Sequence, residues 1–305
     1  MDKSKGLFVL AAFAALAAYP FVAGTFGIDL VTKIMVYAVF ALSLELLVGS
    51  TGLVCFGQAA FFGIGAYATV LLSPPSESAS LAWLLPLCVL AAAAYALVVG
   101  ALSLRTKGVY FIMVTLAFAQ MAYYVVHDTP LGGGTDGIYL NAKPVLGSLI
   151  DLDKPLVLYG FTLASLAAAF GFLALLLRSR FGRALAGIKV NEQRMRATGF
   201  STYPYKLAAF VVSGAIAGLG GFLFAVKDGF VNPELLSWHV SGSVLIMIIL
   251  GGIGHLRGAA LGAFAKHWLL RLSLSIIASA ALPPRGLIGA GALFTQRRRR
   301  LGGSR

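Results

Sequence analysis

Charged residues are scarce in this sequence. They account for 11% of its 305 residues, whereas hydrophobic residues account for 59% and the mean hydropathy is +0.89. Soluble domains carry about 25% charged residues. A water-soluble fold of this length has no way to hide so much apolar surface, but a lipid bilayer accepts it. The sequence therefore predicts an integral membrane protein. Because its composition shows no linker-like shift, we expect one transmembrane domain over residues 1–305.

The residue patterns of common enzymes are also missing. The sequence has neither the GxxxxGK[ST] pattern of a P-loop nor the GxSxG pattern of a nucleophile elbow. Its four histidines are scattered without metal-ligand spacing, and its two cysteines, Cys55 and Cys88, form no CxxC pair. We therefore expect no catalytic residue, no metal site and no cofactor in this chain.

Long apolar runs are abundant instead. A membrane-spanning helix needs about 20 mostly apolar residues. The run 53–72 contains several glycines, which favour a broken or re-entrant segment. The run 7–26 follows two lysines, and we interpret it as an uncleaved first span. The expected fold is an all-α, polytopic bundle of about nine apolar segments, at 7–26, 30–48, 53–72, 81–103, 109–126, 156–177, 207–226, 240–256 and 259–281.

Positive charge is concentrated in one segment between these runs. Residues 178–206 hold seven lysines and arginines but one acid, Glu192. Basic segments stay on the cytoplasmic side of a membrane, so we expect 178–206 and the N-terminus to be cytoplasmic and the acidic segment 127–155 to lie outside. This distribution assigns the net charge of +13 to membrane topology and excludes nucleic acid as a partner.

Three polar side chains stand inside the apolar runs: Glu45, Gln58 and Gln120. A carboxylate within a span costs at least about 2–3 kcal/mol and normally faces a partner or a cavity. Glu45 is therefore compatible with pairing near the cytoplasmic end of its helix or with a position on a substrate path. The two glutamines are equally compatible with hydrogen bonds between helices.

A series of short motifs, each weak alone, follows one order along nearly the whole chain. The series resembles the LivM-like permease subunits of bacterial ABC importers for branched-chain amino acids. The motifs are GSTG at 49–52, GQAAFFGIGAY at 57–67, GVYF at 108–111, VTLAF at 114–118, GGTDG at 133–137, FGRAL at 181–185, YKLAAF at 205–210 and LGGIG at 250–254.

This resemblance implies a subunit that forms part of a translocation path for branched-chain or hydrophobic amino acids in the bacterial cytoplasmic (inner) membrane. Besides the lipid bilayer, it implies three kinds of protein partner. These are a second homologous permease, two cytoplasmic ATP-binding subunits that hydrolyse ATP, and an extracytoplasmic substrate-binding protein. The same class of importer with urea, short amides or sugars as cargo stays open, as does a stand-alone secondary transporter.

The resemblance also assigns roles to particular residues. It makes 178–206 the loop that couples the chain to an ATPase, and it places Glu45 where an asparagine is usual and Gln58 where a histidine is usual. Gln193 and Arg194 replace a usual pair of alanines, which alters the expected docking surface. The implied substrate-path residues are Glu45, Gln58, Thr115 and Gln120, and the implied coupling residues are Arg183, Ala184, Lys189, Glu192 and Gly199.

The basic tail, residues 282–305, conflicts with a ninth span. Nine crossings from a cytoplasmic N-terminus would place its arginines outside, against the rule for basic segments. Residues 265–267 join two stretches that resemble separate parts of the family sequence, so we hypothesise an internal deletion there. A reporter fused after Arg305 tests this hypothesis. The deletion predicts that the reporter lies outside, whereas a reporter in the cytoplasm would indicate a segment that does not cross.

Overall fold

The structure is a computed structural model, and it describes residues 3–21, 24–74, 78–146 and 150–271. Helices dominate this part of the chain, as the sequence predicts. The α-helices are α1 (Lys3–Ala18), α2 (Thr25–Glu45), α3 (Gln58–Leu71), α4 (Leu81–Ser103), α5 (Val109–Asp128), α6 (Pro155–Arg178), α7 (Arg180–Val190), α8 (Glu192–Ala197), α9 (Thr202–Asp228), α10 (Trp238–Gly251) and α11 (Leu256–Arg271).

Short elements connect these helices. A π-helical turn, Leu46–Thr51, continues α2 and is called the π-turn below. Strand β1 (Ile138–Tyr139) pairs antiparallel with β4 (Phe230–Val231), and β2 (Val145–Leu146) pairs antiparallel with β3 (Ile150–Asp151). The β1–β4 pair ties the segment after α5 to the end of α9. Short 3₁₀ helices lie at Tyr19–Phe21, Pro130–Gly132, Gly134–Asp136 and Pro233–Leu236.

Within the described residues, five helices are long and apolar enough to cross a membrane: α2 with its π-turn, α4, α5, α6 and α9. The pair α10 and α11 makes a sixth candidate if it counts as one span, but it is bent by 114°. The predicted number of about nine spans is therefore not confirmed. An apolar run does not reveal where its helix begins: the run 53–72 contains only 14 helical residues, because α3 starts at Gln58.

Helices α2 and α9 form the centre of the bundle. In their most apolar stretches 89% and 78% of the residues are buried, against 17% in α5. Small residues permit this arrangement, because in lipid they let helix backbones approach closely. A side chain at Gly65 or Gly221 would collide with the backbone of the facing helix, so α3 and α9 pack almost backbone to backbone.

The two ends of the bundle differ in their charged groups. At one end Lys227 Nζ lies 3.0 Å from Asp29 Oδ1, and Lys33 Nζ lies 3.5 Å from Asp228 Oδ2. This end also carries the β1–β4 pair. The opposite end carries α7 and α8 with their arginines. The segregation agrees with the predicted topology, while the side of the membrane that each end faces stays a prediction.

We expect Gly221→Ala to destabilise the bundle, because the new methyl group would meet the carbonyl of Phe62 and lie 2.8 Å from the amide of Ala66. Overpacking of this kind costs about 1–3 kcal/mol. Gly171→Ala in α6 is the matched control, since nothing lies within 4 Å of its added methyl group. Thermal unfolding in mild detergent can be followed with a thiol-reactive dye, because Cys55 and Cys88 are free and buried. Equal unfolding temperatures for both variants would contradict this packing.

Candidate functional site

The basic segment 178–206 folds into two short helices, α7 and α8, which we call the platform. Ser179 caps α7, its Oγ accepting a hydrogen bond from the amide of Gly182 at 3.4 Å, and Asn191 caps α8, its Oδ1 accepting from the amide of Arg194 at 2.9 Å. Such caps satisfy amides that a helix leaves free at its start. Leu185 is completely buried against the bundle. The platform is therefore an ordered surface element, and its helices are too short to cross a membrane.

Glu192 anchors the platform to α9. Its Oε1 accepts hydrogen bonds from Lys206 Nζ at 2.9 Å, Thr202 Oγ1 at 2.9 Å and Arg196 at 2.5 Å. Burial alone would raise the pKa of this carboxyl, but the hydrogen bonds from Lys206 and Thr202 and the charge of Lys206 lower the pKa of Glu192 to about 2. The side chain of Lys206 is only 6% exposed and that of Glu192 is 24% exposed, so the two form a partly buried ion pair.

The other predicted coupling residues occupy different parts of the platform. Arg183 is exposed on α7, whereas Ala184 faces inward and is buried. Gly199 has a φ of +82° and lets the chain turn after α8. Lys189 Nζ donates a hydrogen bond to the carbonyl of Gly49 at 2.6 Å. The structure thus brings four of the five together at one surface, and it places Ala184 in the packing beneath.

Glu45 lies where the π-turn begins and is 2% exposed. Its Oε1 accepts a hydrogen bond from the backbone amide of Gly254 at 2.7 Å. Gly49 lies directly beside the carboxylate, and any side chain there would collide with it. Glu45 therefore faces a partner, the loop 252–255 between α10 and α11, and it does not face an open cavity. Sequence reasoning missed this partner, because a glycine amide leaves no side-chain signal.

Gln58 and Thr115 are also fully buried. Gln58 Nε2 donates to Ser43 Oγ and to Ser213 Oγ, both at 2.9 Å, and thereby joins α3 to α2 and α9. Thr115 Oγ1 donates to the carbonyl of Ile112 within its own helix. Neither residue lines open space in this structure, so the four predicted path residues do not share one cavity.

Gln120 does line a cavity, with a volume of about 630 Å³. We call it the α5–α10 cavity. It opens at the end of the bundle opposite the platform, between α5, the 3₁₀ helix at Pro233–Leu236 and the start of α10. The aromatic and acidic residues of 234–239 were missed, although an acid and a tryptophan between two apolar runs is a visible signal. The lining residues are Gln120, Tyr123, Tyr124, Glu234, Ser237, Trp238, His239 and Val240.

In the described ranges, no group of three or more His, Cys, Asp or Glu side chains is arranged to hold a metal ion.

Comparisons with known proteins place the chain in a family. The chain is 32% identical over 271 residues to the high-affinity branched-chain amino acid transport system permease protein LivM of Salmonella typhimurium (strain LT2), and equally to LivM of Escherichia coli (strain K12). These alignments cover 81% of this chain and 64% of each relative, so the chain spans less than two thirds of their length.

A third relative is more distant. The autoinducer 2 import system permease protein LsrC of Escherichia coli (strain K12 / DH10B) is 29% identical over 155 residues, which cover 49% of this chain and 44% of LsrC. No solved structure matches the chain. The family profile described as branched-chain amino acid transport system, permease component, matches residues 26–290. The match covers most of the sequence, and the chain therefore belongs to this family of multi-pass membrane permeases.

Proposed function

We propose that this chain is the permease subunit of an ATP-driven importer and forms part of the path for branched-chain or hydrophobic amino acids across the bacterial cytoplasmic membrane. The observation that carries the proposal is the platform: in a permease of this family, an ordered basic surface is anchored to the central helix α9 by Glu192. The chain itself carries out no covalent chemistry. ATP is hydrolysed on two cytoplasmic partner subunits, and the N-terminus lies in the cytoplasm.

The platform is the docking surface for an ATP-binding subunit. Arg183 and Arg194 are exposed on it and are free to meet an acidic surface. Two hydrogen bonds would carry a displacement of the platform into the bundle. Glu192 passes it to α9 through Lys206, and Lys189 passes it to the π-turn of α2 through Gly49. The platform therefore acts on the two most buried helices.

The α5–α10 cavity is the extracytoplasmic opening of the path. The carboxylate of Glu234 suits the ammonium group of an amino acid, and the aromatic rings of Tyr124 and Trp238 suit an apolar side chain. Helix α5 has the least buried apolar stretch of the five candidate spans, so a second, homologous permease covers its outer face. The segment 127–155 at this end receives the extracytoplasmic binding protein.

Gln120 is then the one predicted path residue that stays at the path. The other three, Glu45, Gln58 and Thr115, are buried and form hydrogen bonds inside the bundle. A second cargo is favoured by one observation, the likeness to LsrC over about half of the chain, since that relative is named for autoinducer 2 import. The importer class is the same, and uptake measurements with both cargoes separate the two candidates.

We expect Glu192→Ala to abolish recovery of the ATP-binding subunit when the tagged chain is purified from its native membranes. The substitution removes the bonds to Lys206 and Thr202 that hold the platform on α9. The control is Lys143→Ala, which removes a charge at the opposite end of the bundle. Mass spectrometry of the wild-type eluate should identify a P-loop ATPase and a second multi-span permease. Their absence from well-folded wild-type protein would refute the importer assignment.

We expect the stability contributed by Glu192 to depend on pH. Its folded-state pKa of about 2 lies below its ordinary value of 4.5, so the contribution is complete above about pH 4.5 and is lost as the pH falls towards 2. Glu192→Gln lacks this charge and leaves Lys206 without its anion, at a cost on the order of 1–3 kcal/mol. Thermal unfolding can be followed by tryptophan fluorescence. The difference in unfolding temperature between variant and wild type should be constant from pH 8 to about pH 5 and should become smaller below about pH 5. The same difference at pH 3 and pH 7 would contradict the assignment.

We expect Glu234→Gln to reduce uptake of radiolabelled leucine several-fold in proteoliposomes that contain the assembled importer, its loaded binding protein and internal ATP. The ammonium group of the cargo would lose its counter-charge at the cavity. Asp29→Asn is the matched control, because Asp29 is an acid of the same end of the bundle that neither lines the cavity nor belongs to the segment 127–155, and its partner Lys227 keeps Asp228. Equal uptake by the two variants would place the opening elsewhere.

A further inference from the structure

The buried carboxylate of Glu45 has a structural position that the proposed path does not use. One oxygen, Oε1, accepts from the amide of Gly254, while in the described part of the chain Oε2 has no hydrogen-bond partner. A carboxylate so far inside a membrane protein is expensive to keep. The position therefore calls for a role that the hydrogen bond to Gly254 can serve.

Glu45 stands at a break in regular helix geometry. The helix α2 ends at Glu45, and the π-turn follows at once. Turns of this kind inside helices are rare and occur frequently at functional sites. The carbonyl of Gly49 in the π-turn accepts the hydrogen bond from Lys189 of the platform, and Gly49 also lies directly beside the Glu45 carboxylate. The platform and Glu45 therefore meet at the same six-residue turn.

The partner of Glu45 is the exposed tip of the loop 252–255. Gly252 and Gly254 have φ values of +100° and +92°, which side-chain-bearing residues rarely adopt. Residues 253–255 are exposed, and nothing lies within 4 Å of a methyl group placed on Gly254. Both ends of the loop are bonded to the helices that they join, through the Gly252 amide and the His255 carbonyl, so the bond from the Gly254 amide to Glu45 is what ties the exposed tip to α2. The loop joins α10 to α11 at the 114° bend, so a shift of the loop acts directly on the end of α10.

Helix α10 reaches from this loop to the α5–α10 cavity. It contains 14 residues and starts at Trp238, which lines the cavity. At about 1.5 Å per residue, such a helix is about 20 Å long. A shift of the loop at one end of α10 therefore tilts the helix and moves the residues that line the cavity at its other end.

We propose that Glu45 is a positioning residue that couples the platform to helix α10. Lys189 moves the π-turn when the platform moves, Glu45 moves with the π-turn, and its bond to Gly254 carries the loop and α10 along. This inference rests on the proposed function for the direction of the signal, from an ATP-binding subunit to the cavity. It assigns Glu45 to coupling and not to contact with the cargo.

Hydrogen exchange of the segment 252–258, measured by mass spectrometry, tests the contact itself in the purified chain. The Gly254 amide should be protected in the wild type and in Glu45→Gln, since the glutamine carbonyl also accepts a hydrogen bond. In Glu45→Ala it should exchange about tenfold faster, as expected for the loss of one hydrogen bond. Unchanged protection in Glu45→Ala would overturn the contact. This part needs no partner protein.

The coupling is tested in the assembled complex, without nucleotide and with ATP plus vanadate. In the wild type, exchange at 252–258 should differ between the two states. The difference should persist in Glu45→Gln and in Lys189→Arg, which keeps a cationic donor, and should vanish in Glu45→Ala and in Lys189→Met. Lys189→Met leaves the Glu45–Gly254 bond in place, so it decides the question even if Glu45→Ala does not fold.

A nucleotide-dependent difference that survives in Lys189→Met would overturn the proposed link, although the importer assignment would stand. Failure of the wild-type chain to recover an ATP-binding subunit would instead refute the proposed function. The exchange measurement on the purified chain would still report on Glu45 and Gly254. The two failures are therefore distinguishable.

Discussion

The close approach of α9 to its neighbours is the constraint on which the rest of the structure depends. In a bilayer no hydrophobic force drives one apolar helix against another, so packing relies on short distances between backbones. Gly221 faces the carbonyl of Phe62, and Gly214 and Gly218 face alanines of α4. Because α9 is held in this way, other parts of the chain attach to it at both ends and in the middle. Lys206 meets Glu192 at one end, Lys227 meets Asp29 at the other, and Ser213 meets Gln58 between them.

Much of this organisation could be predicted from the sequence, because lipid imposes simple rules on composition. Each apolar run contains a helix over most of its described residues, and the charges separate to opposite ends of the bundle. The start of α3, the π-turn and the bend between α10 and α11 could not be predicted. Each depends on how a glycine-containing stretch satisfies its backbone against another helix, and hydropathy carries no information on that.

The candidate site shows the same division. Glu45, Gln58 and Gln120 stood out because polar side chains are costly inside a span. Their surroundings in the fold differ. Gln58 donates hydrogen bonds to two serines, Glu45 accepts one from a backbone amide, and Gln120 lines a cavity. The sequence identifies such residues and leaves their partners unknown. The sequence analysis grouped all three on one path; in this structure they have different neighbours, and their place on a path stays a prediction. The predicted tail 282–305 and the end of the predicted span 259–281 lie outside the described residues, while α11 passes through 265–267 without a break.

The β1–β4 pair is only two residues long in each strand, yet it has a consequence for communication across the bilayer. Through Ile138 and Val231 it attaches the segment after α5 to the end of α9, whose first turn holds Thr202 and, through Glu192, the platform. Both ends of the bundle are thus attached to the same helix, α9, which has 27 residues and is about 40 Å long. Because α9 is one continuous helix attached at both of its ends, a rotation of α9 would move the platform and the segment after α5 together.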